Sequence, residues 1–520
     1  MRKLTVYSWP LCVLIASGCG DDSSSSDNDN TSNDSGYPGY DSSTPVTPTT
    51  IPTPTITPVP TGSNTSPVPI VDAGGPGPST GSEDASVGDA GERDASAALD
   101  AGSALDGSIE DASVDAGDAD AADAAPFPPA AQLEYASLPE GFTAWHWARG
   151  IDDPRGIAVD SAGTVLVVSR QNSSVVALWD DNGDGVSGTN ERATIGSAPG
   201  IQHGIALNGG YLYVSSSSTV YRFVYDPDHN DLGSGIAVVT GIPEGGQHSS
   251  RTLLFDDTFF YVSVGSATNV DEGPGRSAIR RFPINELDSS TPLDFESGEL
   301  FADGLRNEVG LALDGNNQVW GVENGRDDLQ RTDLGGDIHL RNPGEELNLF
   351  SEPGLFYGYP YCWSEGDLGD AGLGAGTQWA DPDNTTHNDD WCRDPENVVP
   401  PQLVLKAHTA PLDILFYKSG NFPSGYVGDA IITLHGSWNR PVDDAVGYKV
   451  VRVPFGANGL PSGSAETLLE YNGEGDRPVG DAAIASQWPI RPVALAELAD
   501  GTLLVTSDES NEIIAIAYRP

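Results

Sequence analysis

The chain is short of positive charge, of methionine, of cysteine and of long apolar runs. Lysine and arginine together number 25 against 76 aspartates and glutamates, a formal net charge of -51 over 520 residues. A phosphate backbone would be repelled, which argues against a nucleic-acid partner. Much of the acid falls in the first quarter, so the charge reads as the property of a tail more than of a fold. One methionine beside 62 glycines fits a turn-rich β protein better than a helical bundle. The apolar run near the start, Leu11-Cys12-Val13-Leu14-Ile15-Ala16, is too short to span a membrane. There are four cysteines, at 12, 19, 362 and 392.

What is present begins with export. Met1-Arg2-Lys3 is a positive start, the apolar run follows, and Ala16-Ser17-Gly18-Cys19 resembles a bacterial lipobox. Residues 1–18 are expected to be a lipoprotein signal peptide and Cys19 the lipidated first residue. That places the protein on a membrane, periplasmic or at the cell surface, and Gly20 favours the outer membrane. Cys12 leaves with the signal and Cys19 takes the lipid. Cys362 and Cys392 remain, an even pair in an exported protein, and a disulfide is expected between them. Residues 19–130 are low in complexity: Ser/Asp/Asn first, then Pro/Thr, then repeated Asp-Ala-Gly and Asp-Ala-Ser. With few large apolar residues there is no core to offset the entropy of ordering. This is a disordered acidic and Pro/Thr-rich tether of about 110 residues, with a root-mean-square span on the order of 60 Å.

Residues 131–520 repeat one theme six times: a polar approach, an apolar strand, an Asp/Gly/Asn turn and a second apolar strand. Arg155-Gly156-Ile157-Ala158-Val159 leads to Val165-Leu166-Val167-Val168, and His203-Gly204-Ile205-Ala206-Leu207 leads to Tyr211-Leu212-Tyr213-Val214. The third copy opens with Gly245-Gly246-Gln247-His248-Ser249-Ser250-Arg251, and three more follow at 309–322, 412–434 and 493–505. Six units that cannot bury their faces alone must stack around an axis, so the expected fold is all-β, a six-bladed β-propeller. Phe142-Thr143-Ala144-Trp145-His146-Trp147 is expected to supply the outer strand of the last blade and close the ring. The stretch 326–405 has weak strand signal and is expected to be an insertion over one face, holding both remaining cysteines.

The polar residues that open the repeats should converge on one mouth: Gln202-His203, Gln247-His248, Arg306-Asn307, Asn324-Gly325-Arg326-Asp327, His408-Thr409 and Arg491. An imidazole there can accept a proton near neutrality. A second signal is local. Asp180, Asn182, Asp184, Gly185 and Glu191 have the spacing of an EF-hand calcium loop without its helices. A structural calcium loop and an ion-free Asx-rich turn both remain open readings.

Six motifs then carry a resemblance. Gly304-Leu305-Arg306-Asn307-Glu308-Val309-Gly310, Glu323-Asn324-Gly325-Arg326-Asp327, Glu345-Glu346-Leu347-Asn348, Tyr357-Gly358-Tyr359-Pro360-Tyr361-Cys362, Ala407-His408-Thr409-Ala410-Pro411-Leu412 and His435-Gly436-Ser437-Trp438-Asn439-Arg440 occur in order at propeller spacing. In them residues 138–520 resemble the quinoprotein glucose/sorbosone dehydrogenase family, in its sorbosone dehydrogenase-like branch. The resemblance implies the cofactor pyrroloquinoline quinone (PQQ), a calcium ion, a sugar substrate and an external electron acceptor. It implies that His248 takes the hydroxyl proton while hydride passes to the quinone. Arg306 and Asn307 would then lie at the quinone edge, with the backbone carbonyls of Gly325 and Arg326 holding calcium. His408 and Thr409 would pack on the cofactor, Arg491 would pair with a cofactor carboxylate, and Gln202 would touch substrate. Gln247 stands where glucose-oxidising members have an acid, so it is a substrate contact of altered character. Asn439 stands where the glucose branch has a cofactor-binding lysine, and Arg326, Lys406 or Arg440 would have to compensate. A cofactor-free binding propeller and a calcium-dependent lactonase are the other readings.

Overall fold

The computed structural model describes residues 132–520 apart from 289, 442–443 and 473–487. The expected signal peptide, Cys19 and the whole of the tether lie outside the described residues. The negative charge is not the tether's alone, since most acidic side chains lie in the 132–520 segment.

Six sheets of four or five strands form the six blades. Their inner strands are Pro154–Val159, Ile205–Asn208, Leu253–Phe255, Glu308–Leu313, Pro411–Phe416 and Pro492–Glu497. Every neighbouring pair of strands within a blade is antiparallel apart from two short outermost additions. The middle strands are continuous apolar runs, not alternating ones, because both faces of a blade are covered by its neighbours. Val165 to Val168 and Ile513 to Ile516 are fully buried throughout. Each such side chain contributes about 1.5–3 kcal/mol of burial. Small residues keep the axis tight. A Cβ on Gly156 would lie 2.1 Å from His203 O, and one on Gly204 would lie 2.2 Å from Arg251 O.

The ring closes as the sequence suggests. Phe142–Arg149 pairs antiparallel with Glu512–Tyr518 and completes blade 6. Just before it, Ala136–Ser137 pairs with Glu470 and Tyr471 of blade 5. The start of the propeller chain thus clasps the last two blades before entering the first.

The expected insertion is only partly an insertion. Glu345–Phe350 is the third strand of blade 4 and Leu403–Leu405 its fourth. Glu345, Glu346 and Asn348 are buried, so a strand that is polar on paper sits inside. The excursion proper, residues 351–402, carries a hairpin of Cys362–Ser364 with Gln378–Ala380, the helix Asp389–Arg393 and the Cys362–Cys392 disulfide. Arg326 fastens it to the blade by donating from Nη1 to both Asp381 oxygens at 2.6 Å.

Candidate active site

In each blade the second strand runs back antiparallel to the inner one. The residue after its end therefore lies beside the start of the inner strand. Asn324, His435 and Asp508 occupy such ends and Ser266 lies one residue farther on, and they meet the residues expected at the mouth. An axial cavity of ≈ 620 Å³ lies farther along the inner strands, lined by Ile157, Ile205, Leu254, Leu311, Leu415 and Leu495 among others. Of the polar residues expected at the mouth, His203 lines this cavity, while His248, Arg306, His408 and Arg491 do not.

His248 is held by one nitrogen. Its Nδ1 lies 3.0 Å from Ser266 O and 2.8 Å from Ser266 Oγ. That hydroxyl donates its own hydrogen to Thr268 O at 2.7 Å. Nδ1 is therefore the donor, and Nε2 keeps its lone pair. Burial, helped by the Arg306 charge, pushes the imidazole down to about 3, so it is neutral at physiological pH. Gly265 packs under it: a Cβ there would lie 2.7 Å from His248 Cβ, 2.5 Å from Asn307 Oδ1 and 3.2 Å from Arg306 O. One glycine thus brings the base and both residues of the Arg306-Asn307 pair together.

Arg306 is more committed than the sequence suggests. Its Nε donates to Asn269 O, Nη1 to Asn324 O and Gly325 O, and Nη2 to Asn269 Oδ1 and Asp327 Oδ2. All five donors are taken, so the side chain offers charge and position, not a free hydrogen bond to an oxyanion. Asp327 is the hub of this side. It pairs with Arg306, accepts from Asn439 Nδ2 at 2.5 Å, and has His408 Nδ1 at 3.6 Å.

His408 and Ala410 have φ of 63° and 52°, a left-handed conformation that non-glycine residues hold mostly where a site demands it. His408 Nε2 donates to His339 O at 2.6 Å, and burial pushes its ring down to about 4. Thr409 turns inward and donates to Lys406 O. Arg440 pairs with Asp444, while Arg326 pairs with Asp381; neither is free to replace a missing lysine through its paired nitrogens. Gln202 Nε2 donates to Ser249 O at 2.6 Å, so this side chain braces the His248 loop where a substrate contact was expected. Gln247 is exposed at the rim, its backbone N–H donating to Ala267 O.

The carbonyls expected to hold calcium are rigid. Gly325 N donates to Glu345 Oε2 at 2.6 Å, and a Cβ on Gly325 would strike Pro343. Gly325 O already accepts from Arg306 Nη1 at 2.5 Å, so an ion held by this carbonyl would sit against a guanidinium charge. Among the described residues, buried Asn439 Oδ1 and Arg440 Nε have no partner, as groups awaiting a polar ligand would. The two unpartnered groups fit a polar cofactor at this end. The Asp180 loop is far from it along the chain, between the third and fourth strands of blade 1. There Asp180 accepts from Asp184 N and Gly185 N, and Glu191 from Asp181 N and Gly188 N. Asn182 and Asp184 bond each other. Among the described residues no group of three or more His, Cys, Asp or Glu is gathered to hold a metal.

A family model described as TrAA12-like matches residues 136–519. The chain belongs to that family. It is 34% identical over 418 residues to the pyrroloquinoline quinone-dependent sugar dehydrogenase of Hypocrea jecorina, covering 75% of this chain and 89% of that one. It is 32% identical to the pyrroloquinoline quinone-dependent pyranose dehydrogenase of Coprinopsis cinerea, spanning 75% of this chain but 56% of that longer relative. Among solved structures, the calcium structure of the Trichoderma reesei carbohydrate-active enzyme of family AA12 superposes with a TM-score of 0.65 at 32% identity. It covers 75% of this chain and 99% of that one. The holo pyranose dehydrogenase PQQ domain from Coprinopsis cinerea gives 0.65 at 30% identity with the same coverage. These two curated relatives are PQQ-dependent dehydrogenases, in line with the resemblance that the six motifs carry.

Sequence reasoning gave no role to Asn269, Asp327 or Asp508. The signal that finds two of them is positional: Asp508 follows a second strand directly, and Asn269 follows one within a few residues.

Proposed function

We propose that this protein is a PQQ- and calcium-dependent dehydrogenase that oxidises a sugar, aldose or sorbosone-like substrate at the mouth of the propeller. The observation that carries the reading is the neutral His248, held through Nδ1 by Ser266, with Gly265 bringing Asn307 and the Arg306 backbone close against it. When bound, PQQ supplies the hydride acceptor and calcium a Lewis acid beside it. The rest falls to the chain's own side chains. His248 Nε2 accepts the proton of the substrate hydroxyl as the carbon below it loses hydride. Ser266 fixes the tautomer that makes this possible. Arg306 pins Gly325, Asp327 and Asn269 in one arrangement and adds positive charge where negative charge develops. Gly325 and Arg326 would hold the ion through their carbonyls, and Arg491 would meet a cofactor carboxylate.

The protein is further read as exported and anchored through a lipid on Cys19, in the periplasm or at the cell surface, with the tether holding the propeller off the membrane. The basic start, short apolar run and Cys19 support this. Electrons would pass to an external acceptor. A second reading, a cofactor-free binding propeller, has one observation in its favour: Arg326 and Arg440 are paired to Asp381 and Asp444, which leaves few cations for three carboxylates.

Titration of the full-length protein with PQQ in calcium, followed by a dye-linked screen of sugars, separates the two. The dehydrogenase reading expects tight binding and dye reduction, and expects His248→Ala to lower turnover by about 10²–10⁴-fold with PQQ affinity little changed. Folded protein that binds no PQQ with calcium in excess would sink it and leave the binding propeller.

A further inference from the structure

Beside the site already described, a second buried polar chain crosses the seam where the ring closes. Arg491 stands directly before the inner strand of blade 6. Its Nη2 donates to His435 Nδ1 at 2.9 Å. His435 follows the second strand of blade 5, and its Nε2 lies 3.0 and 3.1 Å from the two oxygens of Asp508. Asp508 follows the second strand of blade 6. It also receives Arg155 Nη1, from the inner strand of blade 1, at 2.7 Å and the backbone N–H of Glu509 at 2.9 Å. The side chains of His435 and Asp508 are 13% and 4% exposed.

The chemistry of this chain has one consistent assignment. A carboxylate can only accept, so His435 Nε2 carries the hydrogen. Nδ1 is then a lone pair, and it can receive an arginine N–H. Burial and the Arg491 charge keep the ring neutral, pushed down to about 4. The other Arg491 contacts are looser: Glu509 at 3.1 Å, half exposed, and His435 O at 3.5 Å.

We propose that His435 and Asp508 are positioning residues that aim Arg491 at the cofactor: Asp508 selects the histidine tautomer, and the tautomer presents the acceptor that orients the guanidinium. This rests on the reading of Arg491 as a PQQ contact. The arrangement spans blades 5, 6 and 1, so it couples cofactor binding to closure of the ring.

The test is a double-mutant cycle on the full-length protein, reading the PQQ dissociation constant in calcium by fluorescence, with thermal melting as a check of folding. Arg491→Ala should weaken PQQ by at least about tenfold. His435→Ala should weaken it by roughly tenfold while keeping the melting transition. In the Arg491→Ala background the His435 change should add less than about twofold, because its effect runs through the arginine. Asp508→Asn, which can donate to Nε2 and so reverse the tautomer, should mimic His435→Ala; if Asp508→Asn does not fold, the His435 cycle decides alone. An equal loss from His435→Ala in both backgrounds overturns the inference, as does no loss at all. Undiminished affinity in Arg491→Ala would instead show that this arginine does not touch the cofactor, and would remove the inference while leaving PQQ binding established.

Discussion

Gly265→Ala is a small change that the structure makes large. The backbone there is not left-handed, so alanine meets no torsional barrier. What it meets is the site. Its methyl would lie 2.5 Å from Asn307 Oδ1 and 2.7 Å from His248 Cβ. Ordinary contact begins near 3.5 Å, so these neighbours must retreat by roughly 1 Å. A displacement of that size at reacting groups costs on the order of 10²-fold in rate. Overpacking costs about 1–3 kcal/mol of stability, and the lower chain entropy of alanine offsets about 0.4–1 of it. The melting temperature should therefore fall by a few degrees at most. Gly315→Ala is the control, since nothing lies within 4 Å of its added methyl. The assay is kcat/KM by dye reduction with PQQ and calcium saturating, alongside melting curves. Activity within about threefold of wild type, with the small loss of stability present, would refute the placing of the chemistry at His248 and Asn307.

Two further outcomes follow from the fold. Burial lifts Asp413 from 3.8 to about 7, so its contribution to stability is present at low pH and lost as pH rises from about 4 through 7; melting temperatures of Asp413→Asn should be flatter than wild type between pH 5 and 8, and an unchanged slope would count against this. Replacing Cys362 and Cys392 by serine opens a loop with a sequence separation of 30 and should cost about 3–4 kcal/mol in the chain-entropy model, seen as earlier proteolysis and melting of the 351–402 excursion with the blades intact.

The hairpins were legible because the middle strand of a blade has no solvent face. Val165 to Val168 must then be apolar at every position, and such runs stand out between Asp/Gly/Asn turns. The closing strand was legible for the same reason, with Trp145 and Trp147 buried. The third strand of blade 4 was not, because Glu345 and Glu346 satisfy themselves inside: Glu345 accepts from Gly325 N and Ala410 N, and burial raises it to about 8. His248 was singled out by the resemblance, since His203 and His408 also open repeats and position alone does not separate the three. Its lock on Ser266 could not, because that contact joins the two ends of one hairpin across 18 residues. The full occupancy of Arg306 was hidden more deeply: its partners come from two separate stretches, Asn269 and residues 324–327, and charge alone on the page looks like charge available.

That occupancy bears on how this end of the propeller can work. Arg306 is matched by Asp327, Arg326 by Asp381, Arg440 by Asp444, and Arg491 by Glu509 and, through His435, by Asp508. A mouth of arginines already paired is not a broad positive field that draws in any anion. It is a set of fixed donors and dipoles, and those favour one ligand shape over another. The pairing also explains how so many guanidinium groups can be buried together without forcing the blades apart, since an unpaired buried charge would cost several kcal/mol. Selectivity then comes from geometry held by second-strand ends. Ser266, His435 and Asp508 stand within two residues of those ends, while Asn269 and Asp327 lie farther out and hold each other, Asp327 N donating to Asn269 Oδ1 and Asn269 Nδ2 to Asp327 O.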